Sequence, residues 1–249
     1  MVIILIPSHF EAKTFIANLT ERKDFKAGEA DCVEGISGQT DVTVGVIGMG
    51  PPHAAIRARA VIDEVNRRRA AIAEQVDTRR IRGVILAGFA GALEPSLERG
   101  DIFITAGSEF LLPLLPVHER PIAATLETVD KIAGTSKAKG ELFVRTGSWL
   151  CDMEQTHVAA VVKDFGLRFI GVRIVSDVAH EDLPADTLSR SYDQETGMYT
   201  PWKLAGHLTL NPLKTVPLAS FVRLLPPIRN RMSDRLHTWL KLAGPRLFP

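Results

Sequence analysis

The sequence predicts an α/β fold with a largely parallel sheet, and two observations lead to that prediction. Short apolar runs rich in Val and Ile alternate with segments of helical periodicity along residues 1–180. Three of the runs end in glycines or an acid, at 48–50, at 88–91 and at Asp177. Because ligands collect at the carboxyl ends of strands in such sheets, we expect a binding site there.

The predicted elements follow from the period and length of each run. The predicted strands are Val2–Ile6, Val42–Ile47, Val84–Leu86, Asp101–Thr105, Leu126–Ile132 and Phe169–Val175. The predicted helices are Glu11–Leu19, Ala54–Arg69, 154–165 and, after the last strand, Ile228–Leu242.

Composition excludes several classes of protein. With 45% hydrophobic and 24% charged residues, the 249-residue chain can bury the core of one large domain. A net charge of +1 argues against a protein that binds nucleic acid through an overall positive charge. Cys32 and Cys151 stand apart without a CxxC motif, so we expect neither a disulfide framework nor a thiolate zinc site.

The N-terminal segment, MVIILIPSHF, has no basic region before its apolar residues. Its apolar run is also too short for the core of a signal peptide. No stretch reaches the ~18 consecutive apolar residues of a membrane span. We therefore expect a cytoplasmic protein.

Residues 201–249 differ in composition from residues 1–200, which we expect to form the main domain. They contain eight Lys or Arg and one acid, Asp234. We predict a basic, amphipathic C-terminal extension whose main helix is Ile228–Leu242. The apolar face of such a helix usually packs within its own protein or against another subunit. Contact with an anionic membrane surface is the alternative.

Acidic residues follow or precede the predicted elements at three places. Ser176 and Asp177 follow a buried strand, where a carboxyl group can act as a general acid, although either residue can instead cap a following helix. Asp152 and Glu154 precede a helix and can complement its dipole, but a carboxylate also suits the vicinal hydroxyls of a ribose. Glu11, taken alone, is an ordinary glutamate near the start of a helix.

Two glycine-rich segments, GMGPP at 48–52 and GFAGAL at 88–93, let the backbone approach a ligand closely. Neither matches GxGxxG or a P-loop, so we predict no dinucleotide or nucleoside triphosphate cofactor. The histidines stand singly, without a spacing such as HExxH, so we predict no metal site.

Four segments, in this order, resemble the nucleoside phosphorylase/nucleosidase superfamily, and especially its methylthioadenosine/S-adenosylhomocysteine nucleosidases and related bacterial hydrolases. The resemblance covers about residues 1–185 and is weakest over 106–150. The segments that carry it are VGVIGMGPPHAA (44–55), GVILAGFAGALEPSLERGDIFIT (83–105), CDMEQTHVAAV (151–161) and FIGVRIVSDVA (169–179).

The resemblance implies a three-layer αβα sandwich around a central mixed, largely parallel sheet, followed here by a C-terminal helical extension. It implies an enzyme without metal or organic cofactor that usually forms dimers or larger homo-oligomers. It also implies cleavage of the N-glycosidic bond of a purine-type nucleoside.

The resemblance further assigns roles to individual residues. Asp177 would protonate the purine at N7, and Glu11 would activate the attacking water. Glu154 would bind the ribose 2′- and 3′-hydroxyls, with Met153 packed on the sugar. The other residues that would line the sugar and base site are Met49, Phe89, Ser176 and a turn formed by Ala90 and Gly91.

The sequence departs from the superfamily in the predicted base pocket. Phe89 stands where Ser or Thr is frequent, and Ile132 falls where the nucleosidases place a base-stacking Phe. The first loop, 7–10, and the 88–93 segment also lack the arginines that bind phosphate in phosphorylases. Hydrolysis is therefore the favoured reaction.

Two alternatives stay open. One is a phosphate-dependent nucleoside phosphorylase, a glycosyl-transferring enzyme, whose cation comes from elsewhere, such as a neighbouring subunit. The other is a nucleoside-binding protein without turnover, which the changes at Phe89 and Ile132 would suit.

Overall fold

The computed structural model describes residues 1–71, 81–184, 215–244 and 246–248. The strands, β1 to β10 in chain order, are Val2–Ile6, Thr20–Ala27, Ala30–Ser37, Thr40–Val46, Gly83–Ala92, Ile102–Ala106, Ile122–Ala123, Leu126–Thr128, Leu150–Asp152 and Arg168–Asp177. The helices, α1 to α6, are His9–Ala17, His53–Ala70, Ser108–Leu111, Ser136–Thr146, Gln155–Asp164 and Thr215–Ala243. Two 3₁₀ turns occupy Leu112–Leu114 and Val117–Glu119.

Within the described ranges, the strands form one mixed sheet. Its spatial order is β2-β3-β4-β1-β5-β10-β6-β7, and β9 pairs with both β5 and β8. The central pairs β4–β1, β1–β5 and β5–β10 are parallel. The pairs β2–β3, β3–β4 and β10–β6 towards the edges are antiparallel. The carboxyl ends of the four central strands therefore lie at one edge of the sheet.

Strand β1 shows why the fold has three layers. All five of its residues are fully buried, as expected for a central parallel strand covered on both faces. Val2, Ile4 and Ile6 pack with α1 and α6 on one face of the sheet. Ile3 and Leu5 pack with α2 and α5 on the other face. The predicted αβα sandwich with a mixed sheet is confirmed.

Two strands are longer than predicted, and this corrects the expected turns. Strand β5 runs to Ala92, so Ala90 and Gly91 lie in a strand and the turn predicted there is wrong. Strand β10 includes Asp177 as its last residue. The parallel pairing of Val175 with Ala90 and of Asp177 with Gly91 holds both segments extended. A sequence pattern predicts that a strand ends at glycine, but here pairing with the neighbouring strand extends β5 past its glycines to Ala92.

Several elements lacked a clear signal in the sequence. Strand β2 reads TERKDFKA and is mostly exposed at the sheet edge, so it has no apolar alternation by which to recognise it. Helix α4 and the short strand β9 lie in or next to the region that matched the superfamily poorly. The strand predicted over Leu126–Ile132 is shorter, ending at Thr128.

Helix α6 extends well before the predicted Ile228–Leu242. It begins at Thr215 and contains Pro226 and Pro227, so these prolines do not end it. Residues on both sides of the prolines are buried, and this packing offsets the hydrogen bonds that proline cannot make. The buried apolar residues of α6 are Leu218, Phe221, Ile228, Met232, Leu236, Trp239, Leu240 and Ala243.

The apolar face of α6 lies in the same core cluster as β1 and α1, which agrees with the core-packing interpretation of the basic tail. Among the described helices, none is long and apolar enough to cross a membrane. The domain boundary predicted at residue 200 lies outside the described residues and stays a prediction.

Candidate active site

A cavity of about 380 Å³ lies at the carboxyl ends of the central strands. Its walls come from the segments after β1 and β4, the ends of β5 and β10, the β9–α5 connection and helix α6. This is where a parallel α/β sheet is expected to hold a ligand. All the residues predicted for the site line this one cavity: Glu11, Met49, Phe89, Ala90, Gly91, Met153, Glu154, Ser176 and Asp177.

Asp177 is buried, and both of its carboxylate oxygens have a partner. Ser176 Oγ donates to Oδ1 at 2.6 Å. Lys139 Nζ, on α4, lies 2.6 Å from Oδ2 in an ion pair whose two side chains are almost wholly buried. No helix follows Asp177 within the described stretch 178–184, so its carboxylate does not cap one. The carboxylate is held in place to face the cavity.

Gly91 brings the backbone of β5 unusually close to Asp177. A Cβ atom at this position would lie 3.1 Å from Asp177 Oδ2 and 3.2 Å from the Sγ of Cys151. Cys151 lines the cavity as a free thiol, and burial raises its pKa to about 12. Cys32 is also a free, buried thiol.

Glu154 is the N-cap residue of α5, but its side chain makes no capping hydrogen bond. Its Oε1 accepts a hydrogen bond from the backbone N–H of Gly50 at 2.9 Å. Gly50 has a φ of +72°, and a Cβ there would lie 3.3 Å from the Cε of Met153, so glycine suits this approach. Burial, and then the charge of Asp152, raise the pKa of Glu154 above its ordinary value. The residue is buried and its side chain lines the cavity.

The neighbouring acid, Asp152, has the structural role. Its Oδ2 accepts the backbone N–H of Gln155 at 2.9 Å, which caps α5. The same oxygen lies 2.5 Å from Nη2 of Arg173, and Thr128 Oγ1 donates to Oδ1 at 2.7 Å. Position alone left the two acids of this motif equivalent, and only the resemblance singled out Glu154. The structure shows that Asp152 caps the helix.

Arg173 is fully buried inside β10. Besides Asp152, its guanidinium donates to the carbonyl oxygens of Leu86 at 3.1 Å and Val172 at 3.0 Å. Its positive charge also lowers the pKa of Glu11 and of Glu154, against the larger effect of burial. The sequence analysis missed this residue, although a charged residue within the apolar run FIGVRIV is itself a signal.

Glu11 comes to the cavity from α1. Ser8 caps this helix through Oγ, which accepts from the backbone N–H of Glu11 and donates to its Oε2 at 2.5 Å. The backbone N–H of Phe89 donates to Oε1 at 2.7 Å. Burial raises the pKa of Glu11, and these hydrogen bonds oppose the shift. Because the bond from residue 89 comes from its backbone, a Phe side chain there does not disturb it.

Apolar side chains form the rest of the cavity wall. Ile132, with Val129 and Ala133, lines one part of it. The α6 residues Leu218, Phe221, Val222 and Leu225 line another part, which the sequence analysis did not anticipate. That contribution depends on the long-range packing of α6, for which the local sequence carries no signal.

Lys and Arg are absent from the described part of the cavity wall, where His9 is the one basic side chain. The described ranges also hold no group of three or more His, Cys, Asp or Glu residues suited to a metal ion. The carboxyl groups of the described wall are those of Glu11, Asp152, Glu154 and Asp177, and all four residues are buried.

Comparison with known proteins agrees with the sequence motifs. Residues 1–110 match the family model of the phosphorylase superfamily. Over 96% of its length, the chain has a fold similar to that of solved bacterial nucleosidases and of a bacterial futalosine hydrolase. The resemblance to the phosphorylase superfamily is confirmed. The family-model match ends at residue 110, within the first residues of the poorly matching region 106–150.

Three of these solved structures illustrate the similarity of fold. A futalosine hydrolase mutant of Helicobacter pylori has a TM-score of 0.69 at 14% identity, with 97% of that chain covered. The 5′-methylthioadenosine/S-adenosylhomocysteine nucleosidase of Campylobacter jejuni has a TM-score of 0.67 at 12% identity, with 98% covered. The S-adenosylhomocysteine nucleosidase of Streptococcus pyogenes, solved with 5-methylthiotubericidin, has a TM-score of 0.65 at 15% identity, with 95% covered. No curated protein matches the chain in sequence.

Proposed function

We propose that this protein is a nucleosidase that hydrolyses the N-glycosidic bond of a purine-type nucleoside. The observation that carries the proposal is the convergence of Glu11, Glu154 and Asp177, from three distant parts of the chain, on one cavity. The solved structures of similar fold include hydrolases named for futalosine and for methylthioadenosine or S-adenosylhomocysteine, which supports this class of substrate.

In the proposed reaction, Asp177 protonates the departing purine at N7. A purine leaves poorly as an anion, so protonation lowers the barrier, and general acid catalysis typically contributes about 10²–10⁴-fold. As the C1′–N9 bond breaks, the sugar gains oxocarbenium character, which nearby carboxylates stabilise electrostatically. Glu11 then takes a proton from the attacking water, and its raised pKa makes it a stronger base.

Water is a better co-substrate for this cavity than phosphate. A buried phosphate needs cationic partners, and the described wall of the cavity supplies no Lys or Arg. Phosphorolysis would require a cation from another subunit, and the homo-oligomer that the resemblance implies stays a prediction.

The decisive experiment measures release of free base from adenosine, inosine and methylthioadenosine, with and without phosphate. We expect release without phosphate. Release that requires phosphate would identify a phosphorylase instead. Nucleoside binding in calorimetry without any release would identify a binding protein.

Glu154 gives a prediction about pH. Only its carboxylate form can accept hydrogen bonds from both ribose hydroxyls, and burial raises its pKa, so a fraction of the empty site is protonated. Nucleoside affinity should therefore increase as the pH rises from about 6 to about 9. Glu154→Gln should weaken binding by roughly 10–10²-fold and remove this dependence, because a hydrogen bond to a charged group contributes about 1.5–3 kcal/mol.

Calorimetric titration of a ribonucleoside and its 2′-deoxy analogue checks this prediction. The wild type should bind the deoxy compound more weakly, and Glu154→Gln should bind the two nearly equally. Glu141→Gln, an exposed position on α4, is the matched control and should change nothing. Equal wild-type affinity for both nucleosides would mean that Glu154 does not contact the 2′-hydroxyl.

The part of the cavity wall that α6 forms indicates what the rest of the substrate is. The three carboxyl groups account for the sugar and the base, whereas Leu218, Phe221, Val222 and Leu225 offer a nonpolar surface. We propose on this basis that the nucleoside carries an apolar substituent at its 5′ position.

A pair of substitutions on α6 tests the apolar substituent. Val222 and Leu224 are both 41% exposed, but only Val222 is among the residues that line the cavity. Val222→Asn should raise KM about tenfold for a 5′-alkylthio nucleoside, since burying a Val-sized apolar group contributes about 1.5 kcal/mol. It should leave KM for adenosine nearly unchanged, and Leu224→Asn should affect neither. Equal effects of Val222→Asn on both substrates would contradict the proposal.

A further inference from the structure

His9, the one basic side chain in the described wall of the cavity, is the first residue of α1. Ser8 caps this helix, so the start of α1 does not depend on the His9 side chain. Nε2 of His9 lies 3.1 Å from Oδ2 of Asp31, near the start of β3. Lys26, on β2, pairs with the other carboxylate oxygen of Asp31. The imidazole is therefore held from one side by a carboxylate that has a second partner of its own.

The contact with Asp31 decides which ring nitrogen of a neutral His9 carries the proton. A carboxylate can only accept, so the ring donates from Nε2 and keeps a lone pair on Nδ1. A carboxylate or phosphate on a ligand would meet that lone pair, with the charge of Asp31 behind it. A hydroxyl group, in contrast, can donate to Nδ1. His9 therefore suits an uncharged hydrogen-bond donor in the cavity.

The order of the strands places His9 on the side of the cavity away from Asp177. The sheet runs β10-β5-β1-β4-β3, and Asp177 ends β10. The four steps between the outer two of these strands amount to roughly 19 Å, at about 4.8 Å a step. Asp31 pairs with Val46, the last residue of β4, so it lies at the same edge of the sheet as Asp177. A nucleoside with its base at Asp177 can thus extend its sugar towards His9.

The two faces of the sheet separate His9 from Glu154. Helices α1 and α6 pack on one face, and α2 and α5 pack on the other. The guanidinium of Arg229, on α6, lies 4.8 Å from the centroid of the Phe10 ring, so the first turn of α1 adjoins α6. In a β-nucleoside, C5′ lies on the face of the ribose opposite to the 2′- and 3′-hydroxyls. If Glu154 binds those hydroxyls from the α5 side, the 5′ side of the nucleoside faces α1 and α6.

We propose that His9 is a specificity-determining residue that accepts a hydrogen bond from a hydroxyl group on the 5′ side of the nucleoside. This inference rests on the proposed function and adds one polar group to the apolar 5′ substituent. Val222 and Leu225 of α6 contact the carbon atoms of the substituent, and Nδ1 of His9 binds its hydroxyl. The hydroxyl belongs either to the substituent or, in an unmodified nucleoside, to C5′ itself, and the chemistry of recognition is the same.

Two pairs of substrates test the inference, and the members of each pair differ by one hydroxyl. The first pair is 5′-(2-hydroxyethylthio)-5′-deoxyadenosine and its propylthio analogue, which have nearly the same shape. The second pair is adenosine and 5′-deoxyadenosine, in which the hydroxyl is on C5′. For each pair, kcat/KM of the hydroxylated member is divided by that of the other member, at about pH 8, above the range in which histidines ordinarily titrate.

In at least one pair, this ratio should be about 3–10-fold lower in His9→Phe than in the wild type, because one uncharged hydrogen bond is lost. Phe keeps a flat ring but has no acceptor. His9→Asn should recover part of the ratio, since the amide oxygen can take the place of Nδ1. The matched control is His118→Phe, because His118 is an exposed histidine 4.0 Å from Glu119 that does not line the cavity. It should leave both ratios unchanged.

The pair whose ratio falls shows which carbon atom bears the hydroxyl. Unchanged ratios in both pairs of His9→Phe would overturn the inference, as would an equal loss of activity towards all four compounds. A wild type that prefers the hydroxyl-free member of both pairs would overturn it as well. If the wild type releases no base from any of the compounds, the proposed function fails. Their affinities, measured by calorimetry in the same variants, then give the two ratios and test His9 separately.

Discussion

Replacing Asp177 with Asn is expected to lower the rate of base release by about 10²-fold or more. The amide has nearly the shape of the carboxylic acid but cannot donate an acidic proton. It can still accept the hydrogen bond that Ser176 donates at 2.6 Å, so the walls of the cavity should keep their arrangement. The loss should therefore appear in kcat, with little change in nucleoside affinity.

Release of free base measures kcat for this variant, and calorimetry with a nucleoside measures binding. Because Asp177→Asn leaves the Lys139 ammonium without its anionic partner, thermal unfolding must show that the variant is folded at the assay temperature. Asp182→Asn, in the same loop, is the matched control and should keep near wild-type turnover. If Asp177→Asn keeps near wild-type turnover, Asp177 is not the general acid.

Replacing Arg173 with Met is expected to destabilise the protein by about 3–5 kcal/mol. The substitution leaves the Asp152 carboxylate buried without its charged partner at 2.5 Å, and it removes the donors to the Leu86 and Val172 carbonyls. Loss of one partner of a buried pair costs far more than the pair itself contributes, because the remaining charge is uncompensated. Activity should fall as well, since Asp152 caps the helix that presents Glu154.

Urea unfolding, followed by circular dichroism, gives the change in unfolding free energy. Arg168→Met is the control on the same strand, because Arg168 is exposed and its main contact is with the Phe110 ring, 5.2 Å away. We expect it to cost less than about 1 kcal/mol. Adding Asp152→Asn to Arg173→Met should recover part of the lost stability. If Arg173→Met lowers the free energy of unfolding by less than about 1 kcal/mol, the buried carboxylate of Asp152 does not depend on its charged partner.

The central strands could be predicted from the sequence because each is buried on both faces. Such a strand must be apolar throughout, and β1 was predicted with its observed bounds, Val2–Ile6. The edge hairpin of β2 and β3 could not be predicted in this way. Most of β2 is exposed, so its sequence need not alternate between apolar and polar residues. It is a strand because it pairs with β3.

The same contrast holds for the site. The motifs that contain Glu11, Glu154 and Asp177 stand at the ends of predictable elements. The sequence therefore predicts that these residues lie at one edge of the sheet. The local pattern alone could not distinguish Asp152 from Glu154, which only the resemblance singled out. The difference lies in Arg173, which is 21 residues away from Asp152 in the sequence.

By itself, the sequence determined that the protein has an α/β fold and which acids stand at the carboxyl ends of its strands, because both follow from local apolar runs and their termini. Only the tertiary structure decided what surrounds those acids. Lys139 meets Asp177 because α4 packs on the loop after β10, and Phe221 reaches the cavity because α6 packs against the sheet. Contacts of this kind join segments far apart in the chain, and their free energy comes from burial that no local pattern records.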